Sequence, residues 1–344
     1  MASAASPSND TGDNTGKGTG FTADDWPIAT AMMWAGAGHP APDAPAPVEQ
    51  WTSNLRDVAD AGFAYADITD SWVRPGDLNP DQLKAFGEIA KEQGVAYASV
   101  SAIRRSVIEQ GAWEDNLAYS HRTLDAAAEL GIGVVSFGLH QALTPEQQQA
   151  LWFWTVQGHT DDPNDREAFD LAAQRFAELG RHAAENGQIV SLEMYEDTYL
   201  GTSDSSVALV EAIGLDNVGL NPDIGNLIRL HRPIESWQEA HAKTLPYANF
   251  WHVKNYFRDE DPAKDQWFAT PAPLEAGLIS YRSAFSTAVA VGFQGVIMCE
   301  HYGGDSLSVI ASNQDYLRRH ALPKRAYDAP ASKVKQQTTL SKTA

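Results

Sequence analysis

The chain has 344 residues, 43% of them hydrophobic and ten of them tryptophan, which is enough apolar material for a large core. Its net charge of −20 repels phosphate backbones, which argues against nucleic acid as a substrate or partner. The single cysteine, Cys299, excludes an intramolecular disulfide and is typical of a reducing compartment, so we expect a cytoplasmic protein.

The two ends of the chain differ in composition from the rest. Residues 1–24 are mainly small and polar and lack the apolar stretch of a secretory signal, so they are predicted to be a disordered arm. Residues 324–344 are polar and carry several lysines, which predicts a solvated tail. No segment approaches about 18 consecutive apolar residues, so no membrane span is expected. Residues 25–323 are predicted to form one domain.

Within this domain, short apolar runs alternate with segments of helical periodicity. The predicted strands are residues 28–34, 63–68, 95–100, 134–137, 189–193, 218–223, 249–254 and 296–300. The predicted helices are residues 48–61, 80–93, 113–130, 167–186, 205–213, 234–244, 280–291 and 307–319. Most of these helices are followed by a glycine, which is a common helix stop. The pattern amounts to eight consecutive βα units.

Eight such units without a polar linker predict an α/β fold of the closed parallel type, the (β/α)8 or TIM barrel. An open, doubly wound sheet is the alternative. That fold usually has a glycine-rich phosphate turn after its first strand. Residues 34–40 lack the third glycine and place a proline where the helix should begin, so the barrel is favoured.

Four predicted strands end on residues that can bind a metal. Glu193, Asp223 and Glu300 close three apolar runs, and His252 lies near the end of a fourth, two residues before Lys254. Burying an unpaired carboxylate costs several kcal/mol or shifts its pKa until it is neutral. Three acidic strand ends together with one imidazole therefore indicate a shared cation. Two glutamates, one aspartate and one neutral histidine suit Mn²⁺, Mg²⁺, Co²⁺ or Zn²⁺.

Two predicted connections are long and rich in aromatic residues. One joins residue 140 to the helix at residue 167 and contains Trp152, Phe153 and Trp154. The other follows Tyr256 and includes Arg258. Aromatic loops above a barrel mouth suggest walls for a ring-shaped ligand or a partner interface, although ordinary loop packing explains each aromatic residue equally well.

The four strand-end residues and their settings resemble the sugar isomerase/epimerase superfamily of xylose isomerase-like barrels, over about residues 28–322. The settings are Glu-Met-Tyr at 193–195, Asn-Pro-Asp-Ile-Gly-Asn at 221–226, Trp-His-Val-Lys-Asn at 251–255 and Cys-Glu-His-Tyr at 299–302. The resemblance implies that Glu193, Asp223, His252 and Glu300 bind a divalent ion, with Mn²⁺ the first choice, and that this ion binds a ketone and a hydroxyl oxygen of a sugar. The fold-related endonuclease IV enzymes need a histidine where this chain has Asn226, which argues against a phosphodiesterase.

Within that superfamily, the chain looks most like the alpha (large) subunit of bacterial C-glycoside deglycosidases. The long loops, the acidic balance and Phe-Gly-Leu-His at 137–140 carry this resemblance. It implies a lyase that acts on 3-keto C-glycosides together with a small β-rich partner subunit. It also implies that His140 removes the proton at C2 before the aglycone leaves C1. In the epimerases, the glutamates that match Glu193 and Glu300 exchange protons from opposite faces instead.

Two cationic residues are further candidates. Lys254 faces the same side as His252 by strand alternation and is predicted either to bind a sugar oxygen, to neutralise the carboxylates or to pair with a structural acid. Arg258 is predicted either to face the substrate or to be a solvated loop charge. Three functions stay open: the lyase, a single-chain ketose isomerase, epimerase or inosose-type dehydratase, and a scaffold whose metal site is structural.

Overall fold

The computed structural model describes residues 18–337 and residue 340. Within them, eight parallel strands alternate with eight longer helices. The strands are β1 Ile28–Ala31, β2 Tyr65–Thr69, β3 Ala96–Ser101, β4 Val134–Phe137, β5 Ile189–Glu193, β6 Val218–Asn221, β7 Phe250–Val253 and β8 Val296–Cys299. The helices are α1 Val48–Asp60, α2 Pro80–Glu92, α3 Trp113–Glu129, α4 Arg166–Glu185, α5 Ser203–Ile213, α6 Trp237–Thr244, α7 Tyr281–Ala290 and α8 Ser306–Tyr316. Shorter helical turns span Met32–Ala35, Pro75–Asp77, Pro145–Gln149, Phe153–Thr155, Gly225–Ile228, Leu245–Tyr247, Pro262–Lys264 and Leu317–Ala321.

The strands pair in the order β6-β5-β4-β3-β2-β1-β8-β7, and every neighbouring pair is parallel. A parallel bridge between Leu220 and Ala248 joins β6 to the start of β7, and the Asn249 N–H donates to the Leu220 carbonyl at 3.1 Å. The ring of strands is thereby closed, which confirms the predicted barrel. All strand carboxyl ends open on one face, where barrels of this type place their functional residues.

Local sequence explains where the elements begin and end. Asn79 caps α2 by accepting the Gln82 N–H, while the Gln82 side chain accepts the Asn79 N–H in return. Gly214 ends α5 with φ at 67°, a left-handed conformation that a residue with a Cβ adopts only at a cost. Most strands are buried along their whole length, as expected for a parallel sheet covered by helices.

One long connection differs from the predicted loop. After β7 the chain forms an antiparallel hairpin in which Asn255–Asp261 pairs with Gln266–Ala272. The first strand of this hairpin carries charges at residues 258–261, so its sequence shows no apolar alternation that would have predicted a strand. Phe257 and Phe268 are exposed, and the pairing register places them on the same face of the hairpin.

The chain ends also differ from the prediction over the described residues. Gly18–Thr19 pairs with Asp328–Ala329, so residues 18–24 are not a disordered arm, and residues 324–337 are not a free tail. The N–H groups of Lys333 and Lys335 donate to the carbonyls of residues 246 and 216. Leu340 packs against a cluster of buried apolar residues that includes Val134, Phe250 and Val296. Backbone groups make most of these contacts, so composition gave no sign of them. The predicted disorder of residues 1–17 lies outside the described residues.

None of the helices in the described ranges is long and apolar enough to cross a lipid bilayer.

Helix α6 buries a histidine that should make the fold sensitive to acid. His241 lies between Trp237 and Trp251, and burial lowers its pKa to about 4. In the unfolded chain, His241 takes up a proton near pH 6.5. The contribution of the neutral, buried His241 to stability is therefore present above pH 6.5 and is lost as the pH falls to 4. Between pH 7 and pH 4.5, we expect the free energy of unfolding to fall by about 2 to 3 kcal/mol less for His241→Phe than for the wild type. Urea unfolding at the two pH values measures this difference. The exposed His320→Gln serves as the control, and parallel pH profiles for wild type and His241→Phe would contradict the assignment.

Candidate metal centre

Four strands bring their predicted ligands together at the barrel mouth. Glu193 ends β5, Asp223 follows β6, His252 lies in β7 and Glu300 directly follows β8. All four side chains are buried. One ligand atom each of Glu193, Asp223 and His252 lie within 4.8 Å of one another. Glu300 joins this set through its Oε2, which is 3.7 Å from His252 Nδ1.

The spacing and bonding of these atoms fit a divalent ion. His252 Nδ1 lies 3.6 Å from Glu193 Oε2 and 3.7 Å from Asp223 Oδ2. Around an ion with bonds of about 2.1 Å, ligand atoms are about 3.0 Å apart when adjacent and about 4.2 Å apart when opposite. Among the described residues, neither Glu193 Oε2 nor His252 Nδ1 has a hydrogen-bond partner, although both are buried. Buried polar atoms without a partner are rare and call for an unseen ion or water.

Sequence reasoning missed the residues that orient His252. Ser101 Oγ on β3 is 3.3 Å from His252 Nε2, and it donates a 2.9 Å hydrogen bond to Asp67 Oδ2 on β2. The backbone N–H of His252 donates to Asn221 Oδ1 at 2.7 Å. These contacts turn Nε2 away from the carboxylates and leave Nδ1 facing them, as is usual for a metal-binding histidine. Polar residues inside otherwise apolar strands were the signal that could have revealed this group.

Ser101→Ala should therefore weaken metal binding without removing a ligand. We expect the affinity for Mn²⁺ or Mg²⁺ to fall about 10- to 100-fold, because the imidazole loses the group that fixes its orientation. Isothermal titration calorimetry measures this change. Ser136→Ala is a matched control, since Ser136 lies beside Ser101 in the neighbouring strand and its hydroxyl has no hydrogen-bond partner in the described part of the chain. Equal affinities for the two variants would show that Ser101 does not orient His252.

Lys254 lies within the cluster and neutralises part of its charge. Its ammonium is 2.8 Å from Asp223 Oδ2 and 2.9 Å from Glu300 Oε1. Burial opposes the charge on Lys254, but Asp223 and Glu300 outweigh it and raise the pKa of the ammonium well above its usual range. The geometry agrees with the predicted neutralising role. Contact with a substrate stays a prediction.

His140 lies next to Glu193, one of the candidate metal ligands. Its Nε2 is 3.5 Å from Glu193 Oε1, which also accepts a 3.0 Å hydrogen bond from Asn226. The ring packs against Tyr195, with the ring centres 3.9 Å apart. Burial lowers the pKa of His140 despite the nearby carboxylate, so the imidazole is neutral and can accept a proton. Burial also disfavours the charge on Glu193, but the nearby His252 and the hydrogen-bonding contact with His140 outweigh it, so the pKa of Glu193 is lowered and the group is ionised.

Arg258 does not lie at this cluster, and neither sequence interpretation of it holds. Its guanidinium donates to the carbonyls of Ile228, Leu230 and Arg232 at 3.1, 2.6 and 2.6 Å. Its side chain is only 2% exposed, so it is not a solvated charge. Arg258 instead ties the hairpin to the loop that follows β6. The sequence could not indicate this, because backbone acceptors leave no residue-type signature.

The loops above the cluster line two neighbouring spaces. An inner cavity of about 340 Å³, a volume that includes open solvent, lies over the candidate ligands and is also lined by Tyr302. An outer cleft of about 700 Å³, partly open to solvent, lies between the loops that follow β4, β5 and β6. Trp154 lines this cleft. Arg104 and Tyr195 line both spaces.

A buried ion pair supports the wall of the outer cleft. The Arg229 guanidinium donates to both carboxylate oxygens of Glu196, at 2.9 and 3.0 Å. Its central carbon also lies 4.9 Å from the ring centres of Phe153 and Trp154. The cation thereby holds the aromatic loop over the barrel mouth.

Comparisons with known proteins agree with this architecture. Residues 55–320 match the family model described as a xylose isomerase-like TIM barrel. A xylose isomerase-like TIM barrel protein from Mycobacterium smegmatis, solved in complex with magnesium, is 45% identical over 88% of this chain and 98% of its own, with a TM-score of 0.82.

More distant structures share the fold. An L-ribulose 3-epimerase is 15% identical over 86% of this chain and 92% of its own, with a TM-score of 0.56. The 3-keto-D-glucoside 4-epimerase from E. coli is 13% identical over 86% and 99%, also with a TM-score of 0.56. A search of curated proteins found no match to this chain.

Proposed function

The chain belongs to the xylose isomerase-like TIM-barrel family as an enzyme of the sugar isomerase/epimerase type, and we propose that it cleaves the C–C glycosidic bond of 3-keto C-glycosides. The observation that carries this proposal is the position of His140. A neutral, buried imidazole lies 3.5 Å from Glu193, at the same barrel mouth as the ligand set. A base beside a metal site suits removal of a proton from carbon next to a carbonyl.

Glu193, Asp223, His252 and Glu300 would hold the ion, for which Mn²⁺ is our first choice, and Mg²⁺ is supported by the related protein solved with magnesium. A divalent ion at this position would polarise a carbonyl or hydroxyl oxygen of the sugar and so make the adjoining C–H more acidic. His140 accepts the proton from C2 at a ring nitrogen.

Two further bond changes in the substrate complete the elimination. The pair from the C2–H bond forms a C1=C2 double bond while the C1–C bond to the aglycone breaks. The aglycone carbon keeps the electron pair of the broken C1–C bond and takes up a proton. Packing of Tyr195 on the imidazole and the hydrogen bond from Asn226 to Glu193 limit movement of the two groups that must stay aligned.

Aglycone release from a 3-keto C-glucoside, followed by chromatography, tests this reaction. We expect release in the presence of Mn²⁺, loss of release with EDTA, and a decrease of about 10² to 10⁴-fold for His140→Gln. Metal affinity of this variant should stay near the wild-type value, since His140 is not a ligand. Absence of release, both for the chain alone and with a co-expressed small partner, would refute the lyase.

A single-chain epimerase is the second candidate, and the placement of two glutamates favours it. Glu193 on β5 and Glu300 after β8 approach His252 from different strands, with distances of 3.6 and 3.7 Å to Nδ1. Two carboxylates on different sides of one site could exchange protons at both faces of a sugar carbon. Deuterium incorporation from D₂O into a ketose, without any partner, would favour this reaction over the lyase.

We further propose that the enzyme works in the cytoplasm with a small β-rich partner subunit. The hairpin after β7 presents Phe257 and Phe268, which are 51% and 55% exposed, on one face. Exposed aromatic side chains on one surface are typical of protein interfaces. A Phe257→Ser, Phe268→Ser double variant should lose the partner in size-exclusion chromatography while it keeps its metal affinity. Retention of the complex would argue against this surface.

A further inference from the structure

Arg104, in the loop after β3, occupies an unusual position. Its φ is 55°, which makes it one of three non-glycine residues with a left-handed backbone in the described part of the chain. This conformation is unfavourable for a residue with a side chain and persists only where the surroundings enforce it, often at a functional site. Arg104 lines both the inner cavity over the metal ligands and the outer cleft.

The guanidinium of Arg104 is held in place but only partly used. It donates to the Gln141 carbonyl at 3.1 Å and to the Tyr195 hydroxyl at 3.3 Å, and it lies 4.9 Å from the ring centre of Phe153. A guanidinium has five N–H donors, so three remain without an acceptor among the described residues. These fixed contacts hold the remaining donors in a preformed orientation.

Two other arginines near the outer cleft are already neutralised. Arg229 pairs with Glu196 at 2.9 Å and Arg232 pairs with Asp197 at 2.5 Å. Arg104 has no carboxylate within ion-pair distance in residues 18–337 or at residue 340. The junction of the two spaces therefore carries one unpaired, partly buried cation.

We propose that Arg104 binds an anionic oxygen on the part of the substrate that extends from the sugar into the outer cleft. The sugar would bind over the candidate metal ligands at the inner cavity, and a planar group bearing a carboxylate or an ionised phenol would lie along Trp154 in the outer cleft. A planar guanidinium fork matches a carboxylate and stacks with aromatic groups, whereas an ammonium does neither as well. This inference rests on the proposed function and names the class of substrate for the same site.

Binding measurements on a protein that cannot turn over test this selectivity. In the Mn²⁺-loaded His140→Gln protein, the dissociation constants of three 3-keto C-glucosides would be compared, with phenyl, 4-hydroxyphenyl and 4-carboxyphenyl aglycones. We expect the carboxyphenyl compound to bind at least about tenfold tighter than the phenyl compound, because a charge-assisted bidentate contact is worth that much or more. A pH-dependent gain for the hydroxyphenyl compound would identify a phenolate as a second accepted group.

Arg104→Gln should abolish the preference for the carboxylate, and Arg104→Lys should restore only part of it. Arg105→Gln is the matched control, because Arg105 lies in the same loop with its guanidinium over Tyr119. An unchanged preference in Arg104→Gln, equal affinities of the phenyl and carboxyphenyl compounds in the parent protein, or absence of binding would overturn the inference. Selective binding without aglycone release by the unmodified enzyme would refute the lyase and leave the inference standing.

Discussion

Glu193→Gln is expected to abolish divalent-metal binding at the barrel mouth and to lower turnover by at least about 10³-fold. The ionised carboxylate supplies Oε2 to the ligand set and Oε1 to the pair with His140, so a neutral amide weakens both. An ion on a substrate oxygen contributes several kcal/mol to the transition state, and each 1.4 kcal/mol is a factor of ten in rate. Elemental analysis of the purified variant and steady-state kinetics with added Mn²⁺ measure the two losses.

The stability of Glu193→Gln separates loss of metal from loss of fold. Without metal, His252 and His140 keep Glu193 ionised and so favour its charge, and the neutral amide should leave the melting temperature unchanged or slightly lowered. With Mn²⁺, only the wild type should gain stability. Glu88→Gln, an exposed change on α2, is the control and should keep the metal response. An active variant with a normal metal content would refute the assignment of Glu193 as a ligand.

The barrel and the candidate metal ligands could both be predicted from the apolar character of buried parallel strands. A parallel strand covered on both faces is apolar throughout, so a terminal Glu193 or Glu300 stands out in the sequence as an exception. Eight alternating units fix the fold class, and the fold class places every strand end on the same face. The sequence order of Glu193, Asp223, His252 and Glu300 thus predicted their proximity without any knowledge of distances.

Other parts of the site depend on tertiary geometry that sequence patterns do not show. Arg258 was a candidate for the substrate, but its guanidinium binds carbonyl groups, which every residue possesses. Asp67 and Ser101 are more than 90 residues from any candidate ligand in the sequence and approach His252 only because β2 and β3 pair inside the barrel. Arg104 lines both spaces above the cluster, and the sequence of its loop does not show this.

Lys254→Met should destabilise the metal-free protein by about 3 to 5 kcal/mol, the usual result of removing one partner from a buried ion pair. Lys254 is fully enclosed, and it is the cation that contacts both Asp223 and Glu300. Without it, the two buried carboxylates lose their nearest cation, and either ion uptake or protonation must compensate. Urea unfolding in EDTA at pH 7.5 measures the loss. Lys84→Met on exposed α2 is the control and should change stability by no more than about 0.5 kcal/mol.

The same variant distinguishes a metal site from a site held together by the lysine alone. If Asp223 and Glu300 also bind an ion, Mn²⁺ should offset part of the defect, so the difference between wild type and Lys254→Met would be smaller with Mn²⁺ than in EDTA. If the lysine were the only cation that these carboxylates bind, the difference would be the same in both buffers. Equal unfolding midpoints of the two proteins in EDTA would instead show that Asp223 and Glu300 are not charged together in the free enzyme. The metal response of this one variant therefore tests the central feature of the barrel mouth, which is a cluster of carboxylates that one ammonium only partly neutralises.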